Sequence, residues 1–376
     1  EIDVIIGTPP CQGMSRNRHG IRDVFDNRNE LIKNTINIIK EVKPKFVLLE
    51  NVPRQLITKI SYNSDEVIIP YFIWNELKTL YKFTCDNKGE FRYQNSIYDT
   101  SLYGVPQKRR RSIFTLVRRD IDLIWKKPIP EKNIVTLRDV IGNLPQVDPI
   151  IRDYETSKIF PDFEKNHAVA RNVSIWHKPP VHNLKHVTWM MKTPTGVSAF
   201  ENKIYFPQKD DGTRIKGRIS TYKRYRWDQP VQTVTQNNAV ISSSVCVHPG
   251  TLISGFQTDE KTRIYSSPRV LTIYELLLVS SLPADWNIPL DVNENFLRRA
   301  IGEGIPPLLV KDEDDNLVPL VDLQGRFRPE VAEFAGRFVK NEYYPNGEAP
   351  QKSVDVELAI KLKTENKAFK VEKYKH

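Results

Sequence analysis

Three groups of side chains have the types and spacing to do chemistry. The first is Cys11 in IGTPPCQGMS (6–15), where two prolines stiffen the turn after a short apolar run. A free cysteine is most often a small buried hydrophobe, but its thiolate is also a nucleophile, and a strand end can present one. The second is Glu50, which closes the apolar run KFVLLE (45–50). Burial at a strand end raises a carboxyl pKa and suits it to general acid work. Taken alone, such a glutamate reads as a helix cap or a surface ion-pair partner. The third is the alternation Gln107, Arg109, Arg111 in VPQKRRR (105–111), an amide followed by two planar, permanently charged forks. Without context that run is a solvated basic patch.

The elements that must position these groups follow from periodicity. Residues 3–7 read as a buried strand. NELIKNTINIIKEVKP (29–44) places Leu31, Ile32, Ile36 and Ile39 at helical spacing and ends at a proline. Residues 45–50 form a second strand. Strand, loop, helix, strand is a βαβ unit, which implies a parallel sheet with ligands at the carboxyl ends of its strands. Cys11 and Glu50 lie just past two such ends, so order alone predicts that they face one cleft. The polar residues 12–29, with Gly13 and Gly20, read as a mobile loop. A helix is expected over 69–83, strands over 91–104 and 110–119, and a strong helix over 272–283. From about 120 to 216 periodicity is poor and prolines and aromatics are frequent, which predicts a separate, loop-rich lobe. The lysine-rich tail from 350 reads as a solvated helix or packing arm.

Bulk properties narrow the class. The 376 residues are 39% hydrophobic and 27% charged, as in a globular chain with more than one domain or lobe. No apolar run has the length of a membrane span, and no secretory leader opens the chain. Cys11, Cys85 and Cys246 are too widely spaced for a disulfide framework or a zinc site, so a reducing, cytoplasmic setting is expected and no metal. The net charge of +10 favours a polyanionic partner, with basic residues gathered at 108–111, at 216–226 and in the tail. The sequence opens at Glu1 directly on a strand-like segment, so an upstream stretch or a second polypeptide is expected to supply what precedes it.

Four segments stand in a telling order: GTPPCQGMS (7–15), LLENVP (48–53), YGVPQKRRR (103–111) and RVLTIYELLLVSSLP through AIGEGIPPLL (269–309). Together they resemble the cytosine-C5 DNA methyltransferases from motif IV to motif X, over the chain to about residue 310. The resemblance implies an α/β fold, a Rossmann-like class I methyltransferase sheet with a second, smaller and irregular target-recognition lobe. It implies catalytic residues over 1–119, a recognition domain over 120–240, a return to the catalytic domain over 241–310 and a C-terminal extension over 311–376. GRISTYKRYRWDQPVQTVT (217–235), similar to motif IX, falls within the recognition domain.

By the same resemblance, Cys11 is the nucleophile that adds to C6 of a flipped cytosine, and Glu50 holds that base and donates at N3. Arg109 and Arg111 fix the base, the catalytic loop and nearby phosphates. Gln12, Ser15, Arg16, Arg28, Asn51 and Gln107 bind the substrate, and 12–29 becomes a lid over DNA. Pro10, Leu31 and Glu303 line the S-adenosyl-L-methionine pocket. Trp189, Lys192 and Lys209 are candidates for base readout in the recognition lobe, while Cys246 is structural. Double-stranded DNA is the implied partner, in a bacterial or phage restriction–modification setting with the nucleoid at hand.

Two departures from the family pattern stand out. The Phe-x-Gly-x-Gly loop and ribose-binding acid that build most of the cofactor pocket appear neither before Cys11 nor later. Glu303 in GEGIPP stands where the family commonly has asparagine. Two alternatives remain open on sequence: an RNA cytosine-C5 methyltransferase, and a non-catalytic DNA-recognition subunit. The size of the irregular lobe weighs against the first, and the joint presence of Cys11, Glu50, Gln107, Arg109 and Arg111 against the second.

Overall fold

Ile32, Ile36 and Ile39 are buried along one side of α1 (Leu31–Val42), the stripe that turns an amphipathic segment into a packed helix. Each such side chain contributes about 1.5–3 kcal/mol by leaving water. The helix stops where Lys43 adopts φ 49°, ahead of Pro44. The computed structural model describes residues 2–9, 31–87, 90–122, 128, 130–284, 286–304 and 306. Apart from Trp286 and Asn287, these belong to one unit, Glu1–Ala284 with Ile288–Leu308. The expected loop over 12–29 and the expected extension over 311–376 lie outside the described residues.

α1 connects β1 (Val4–Gly7) to β2 (Phe46–Asn51), and the two strands pair in parallel with Val4 opposite Phe46. That is the expected βαβ unit. β1 is not the buried strand its composition suggested: Val4 is 41% and Ile6 53% exposed. It is the end strand of the described sheet, so nothing described covers its outer side.

A hairpin of β3 (Lys59–Tyr62) and β4 (Asp65–Ile68) leads into α2 (Ile69–Leu77). The helix expected over 69–83 ends early, because Tyr81 and Phe83 alternate inward around Lys82, a period of two that suits a strand. They form β5 (Tyr81–Phe83), and the Tyr81 hydroxyl donates to the Pro44 carbonyl at 2.9 Å. The strand expected over 91–104 is broken into short pieces. β6 (Asp86–Asn87) pairs with β7 (Glu90–Phe91), and β8 (Ile97–Asp99) sits between single 3₁₀ turns at Tyr93–Ser96 and Thr100–Leu102. After β9 (Gln107–Lys108) comes β10 (Arg110–Arg118), a strand as expected. The main sheet runs β1-β2-β10-β5, with β8 also on β10, and β10 is antiparallel to each of its neighbours. The all-parallel expectation therefore holds only for β1 and β2. The α/β class stands.

The irregular lobe contains more helix than its sequence suggested. In chain order come α3 (Leu137–Ile141), β11 (Ile150–Ile151), α4 (Phe163–Val173), β12 (Val181–His182) and α5 (Leu184–Met191). The chain then returns through β13 (Val231–Gln232), β14 (Leu252–Ser254), β15 (Ile264–Tyr265), α6 (Ile273–Val279) and α7 (Glu294–Glu303). β13 docks in parallel on β9, with Val231 opposite Gln107. One apolar cluster joins Leu137 and Ile141 to Val231, Val234, Leu276, Leu277 and Ile301. Another joins Val187, Met190 and Tyr222 to Ile241, Cys246, Val247 and Val270.

α6 starts with a capping box: Thr272 Oγ1 accepts from the Glu275 N–H at 3.1 Å, and the Glu275 carboxylate accepts from the Thr272 N–H at 2.8 Å. The same carboxylate takes both arms of the Arg269 guanidinium at 2.8 Å, with both side chains fully enclosed. Burial alone would raise the Glu275 pKa, but the Arg269 charge and its forked hydrogen bonds hold it well below the usual carboxylate range. A depressed folded-state pKa stabilises the fold at neutral pH, and that contribution is lost as pH falls below the ordinary glutamate value. Glu275→Gln leaves the buried guanidinium without its counter-charge and is expected to lose about 3–5 kcal/mol. Thr272→Ala removes only the cap and loses about 1 kcal/mol. Urea unfolding at neutral pH separates the two.

Candidate active site

The register of β10 against β2 brings the first charged pair together. Glu50 lies opposite Ile113, so Arg111, two residues along β10, shares its face and sits on the diagonal within reach of a long side chain. Arg111 Nε lies 2.8 Å from Glu50 Oε1, with the side chains 14% and 10% exposed. Arg111 also donates from Nη1 to the Arg110 carbonyl at 2.8 Å, which fixes the plane of its fork. Burial pushes the Glu50 pKa up, and the Arg111 and Arg109 charges pull it only part of the way back, leaving it raised. Burial and the neighbouring cations thus act on this carboxyl in opposite directions.

Asn51, the last residue of β2, links this strand to its parallel neighbour. Its Nδ2 donates to the Pro9 carbonyl at 3.2 Å and its Oδ1 accepts from the Val52 N–H at 2.8 Å. It was expected among the substrate contacts. Its amide is instead engaged at both ends by the chain, and it positions the backbone two residues before Cys11.

Of the alternating Gln107, Arg109 and Arg111, it is Arg111 whose guanidinium lies 2.8 Å from the carboxylate. β9 pairs with β13, and this turns the two earlier side chains into the seam with the returning chain. Gln107 is buried; its Oε1 accepts from the Val234 N–H at 3.2 Å and its Nε2 donates to Ser280 Oγ at 3.2 Å. It was expected among the substrate contacts. Arg109 is buried as well, and its guanidinium donates to the carbonyls of Val234 at 3.0 Å and of Gly302 and Glu303, both at 3.1 Å. Arg109, expected among the catalytic residues, thus ties the returning chain to the sheet. Gly302 lets α7 come this close, because a Cβ there would lie 2.3 Å from the Thr235 carbonyl oxygen.

The cofactor candidates are dispersed. Leu31 is exposed at the head of α1. Glu303 ends α7 with its carboxylate 3.0 Å from Arg299 Nε, on the surface. Pro10, Cys11, Gln12, Ser15, Arg16 and Arg28 lie outside the described residues. Cys246 is structural as expected: it is buried, its thiol donates to the Val240 carbonyl at 3.1 Å, and burial pushes its pKa up to about 12. Cys85 is buried too. Trp189 is enclosed between His186 and Tyr222 and cannot reach a base edge, a correction to its assignment. Lys192 donates to the Lys261 carbonyl at 2.7 Å, and Lys209 is exposed. Among the described residues there is no cluster of metal ligands, and no helix is long and apolar enough to cross a membrane.

The family model of C-5 cytosine-specific DNA methylases matches residues 1–315. Type II methyltransferase M1.HgaI of Avibacterium volantium is 38% identical over 317 residues, covering 83% of this chain and 77% of that one. A prophage-encoded Escherichia coli protein, described as a DNA modification methyltransferase, overlaps 81% of this chain and 75% of its own at 22% identity and a TM-score of 0.49. A separate similarity, 46% over 83 residues, links 19% of this chain to 8% of the isoleucine–tRNA ligase of Cytophaga hutchinsonii. The chain belongs to the C-5 cytosine-specific DNA methylase family. It is a DNA cytosine-5 methyltransferase.

Arg109→Met would leave the carbonyls of Val234, Gly302 and Glu303 unsatisfied inside the protein. Losing these bonds is expected to cost about 3 kcal/mol or more. Amide hydrogen exchange should speed up most in α7, the helix whose end Arg109 holds. Uniform protection in the variant would contradict this.

Proposed function

We propose that Cys11 and Glu50 act together on a cytosine turned out of duplex DNA. The observation that carries this reading is the buried Glu50–Arg111 pair at the carboxyl end of β2, tied through Asn51 to the end of β1. Cytosine C5 is too electron-poor to take a methyl group unaided. Addition of the Cys11 thiolate to C6 pushes the ring electrons toward N3 and C5, and a proton from Glu50 at N3 receives the charge that develops there. The Glu50 carboxylate left behind is steadied by Arg111. Once C5 is substituted, its proton passes to a base, the thiolate leaves C6, and N3 returns its proton to the Glu50 carboxylate, which restores the neutral aromatic base and the starting acid. The ring must leave the stack first, since C6 is inaccessible within a duplex. Gln12, Ser15, Arg16 and Arg28, on the segment 12–29, hold the extruded nucleotide and close over it.

S-adenosyl-L-methionine, when bound, supplies the methyl group. Leu31, exposed at the head of α1, suits an apolar contact to it beside Pro10, and Glu303 offers a carboxylate shared with Arg299. The apolar β1, with Val4 and Ile6 exposed and Ile38 of α1 exposed as well, supports a partner for this strand. We assign that place to the segment carrying the glycine-rich cofactor loop, on an upstream stretch or a second polypeptide. The type II description of M1.HgaI favours a restriction–modification role. Cytoplasmic work on nucleoid DNA follows from that role and from the basic charge. The family model, built on DNA enzymes, gives no support to the RNA alternative.

A covalent trap tests the chemistry. With S-adenosyl-L-methionine and duplex DNA containing 5-fluorocytosine, the enzyme is expected to form an adduct that Cys11→Ser abolishes. Glu50→Gln should slow adduct formation about 10²–10⁴-fold. An adduct with RNA alone, or DNA binding without an adduct, contradicts the reading. The pH profile adds a signed check. Glu50 works protonated, so the rate falls as pH rises through its raised pKa. Arg111→Met removes the nearest cation, raises that pKa further and should move the falling limb to higher pH. In the complete enzyme, Ile6→Lys is expected to weaken S-adenosyl-L-methionine binding at least tenfold in equilibrium dialysis; undiminished binding sinks the docking of the cofactor segment on β1.

A further inference from the structure

β14 and β15 form a hairpin that stands out from the returning chain. Every residue over 251–258 is exposed, Ile253 at 59% and Phe256 at 76%. The hairpin is nonetheless firmly built. Gly255 adopts φ +73°, where a Cβ would meet the Thr262 backbone at 2.3 Å, so the two sides of the turn approach as only glycine permits. The Glu260 carboxylate accepts the N–H groups of Lys203, Ile204 and Tyr205 at 2.8, 2.7 and 2.6 Å. The Arg263 guanidinium donates to the carbonyls of Lys192 at 2.7 Å and Gln257 at 3.1 Å, and to Asn202 Oδ1 at 2.9 Å. Asp259 caps the turn through the Lys261 N–H at 3.0 Å and Thr262 Oγ1 at 2.8 Å.

Two consequences follow from this bracing. Phe256 cannot collapse onto the body to hide its ring, and an apolar side chain held out in water by a clamped turn marks an interaction surface. The acidic side chains of the turn are also engaged within the chain, which leaves Lys261 as its exposed charge. Glu260 pins the turn to the start of a stretch exposing Lys203, Lys209, Lys216 and Arg218. The two acids within that stretch have local partners: Asp210 pairs with Lys185, and Asp211 caps the Thr213 N–H at 2.8 Å.

We propose that this hairpin is a DNA-reading element, with Ile253 and Phe256 making apolar contact with bases and the stretch 203–218 taking the adjoining phosphates. The proposal rests on the methyltransferase reading and deepens it, extending base recognition past residue 240. Charge decides the occupant. Five exposed cations over 203–218, Lys203, Lys209, Arg214, Lys216 and Arg218, outweigh the exposed Asp210 and Asp211, and this net positive charge beside an apolar tip matches a duplex, whose bases offer methyl groups and stacking faces and whose backbone is anionic. A second copy of this chain would set the same cations against each other.

The test uses the full chain and a fluorescein-labelled pool of randomised 40-base-pair duplexes, from which the wild type selects its preferred sequence. Binding of that duplex is then followed by anisotropy at several salt concentrations. Phe256→Ala is expected to weaken binding about tenfold or more, with an unchanged salt slope and an unchanged melting temperature. The double variant Lys216→Ala, Arg218→Ala should instead make the salt slope shallower by about two. Phe256→Ala binding within about twofold of wild type overturns the hairpin's role. So does a wild-type dimer in sedimentation that Phe256→Ala dissociates with DNA affinity intact. Failure of the wild type to retain any duplex overturns the methyltransferase reading itself, and the proposal with it.

Discussion

A carboxyl that burial drives toward its neutral form and a permanently charged guanidinium lie side by side, nearly buried, at the end of β2. Their opposition is the constraint around which the described sheet is arranged. Desolvation favours the neutral acid, while Arg111 at 2.8 Å favours the anion, and the balance leaves the Glu50 pKa raised. Such a balance survives only if neither group can drift. The six-residue ladder from Asn51–Ser112 to Phe46–Val117 supplies that rigidity on one side. The parallel pairing with β1 supplies it on the other.

The rest of the molecule extends this bracing outward. Gln107 and Arg109 stitch the returning chain to the sheet, and the buried Arg269–Glu275 pair locks the start of α6, which is followed directly by the Ser280 that Gln107 reaches. Both are polar interactions inside protein, and their value lies in specifying one arrangement rather than in raw stabilisation. Two parts of the chain far apart in sequence are thereby held in a single register around Glu50.

Much of this was legible in the sequence where the governing pattern is local. The steps between Ile32, Ile36 and Ile39 define α1, and the apolar runs at 4–7 and 46–51 define β1 and β2. Order alone put Glu50 at a strand end beside the segment leading to Cys11. What failed was whatever depends on a distant partner. The period-two spacing of Gln107, Arg109 and Arg111 suggests one shared face, but Val234, Ser280, Gly302 and Glu303, all more than a hundred residues later, claim the first two side chains for a seam. Val4 and Ile6 read as core and lie exposed, because burial of a strand depends on what covers it. Trp189 looked available for readout until His186 and Tyr222 enclosed it. Thr272-x-x-Glu275 is a capping box that could have been read directly. Gly255 was the one visible sign of the hairpin at 252–265.

The reach of Arg109 also bears on how the protein comes into being. Its carbonyl partners lie 125 to 194 residues further along the chain. At ribosomal speed, about 10–40 s separate the synthesis of Arg109 from that of Glu303. Throughout that interval the nascent sheet carries a guanidinium shaped for a burial that does not yet exist. Closure over such loops is entropically slow and dominates the folding time of proteins with distant contacts. The seam that Arg109 closes is therefore a late product of biosynthesis, and chaperones meet it half-made.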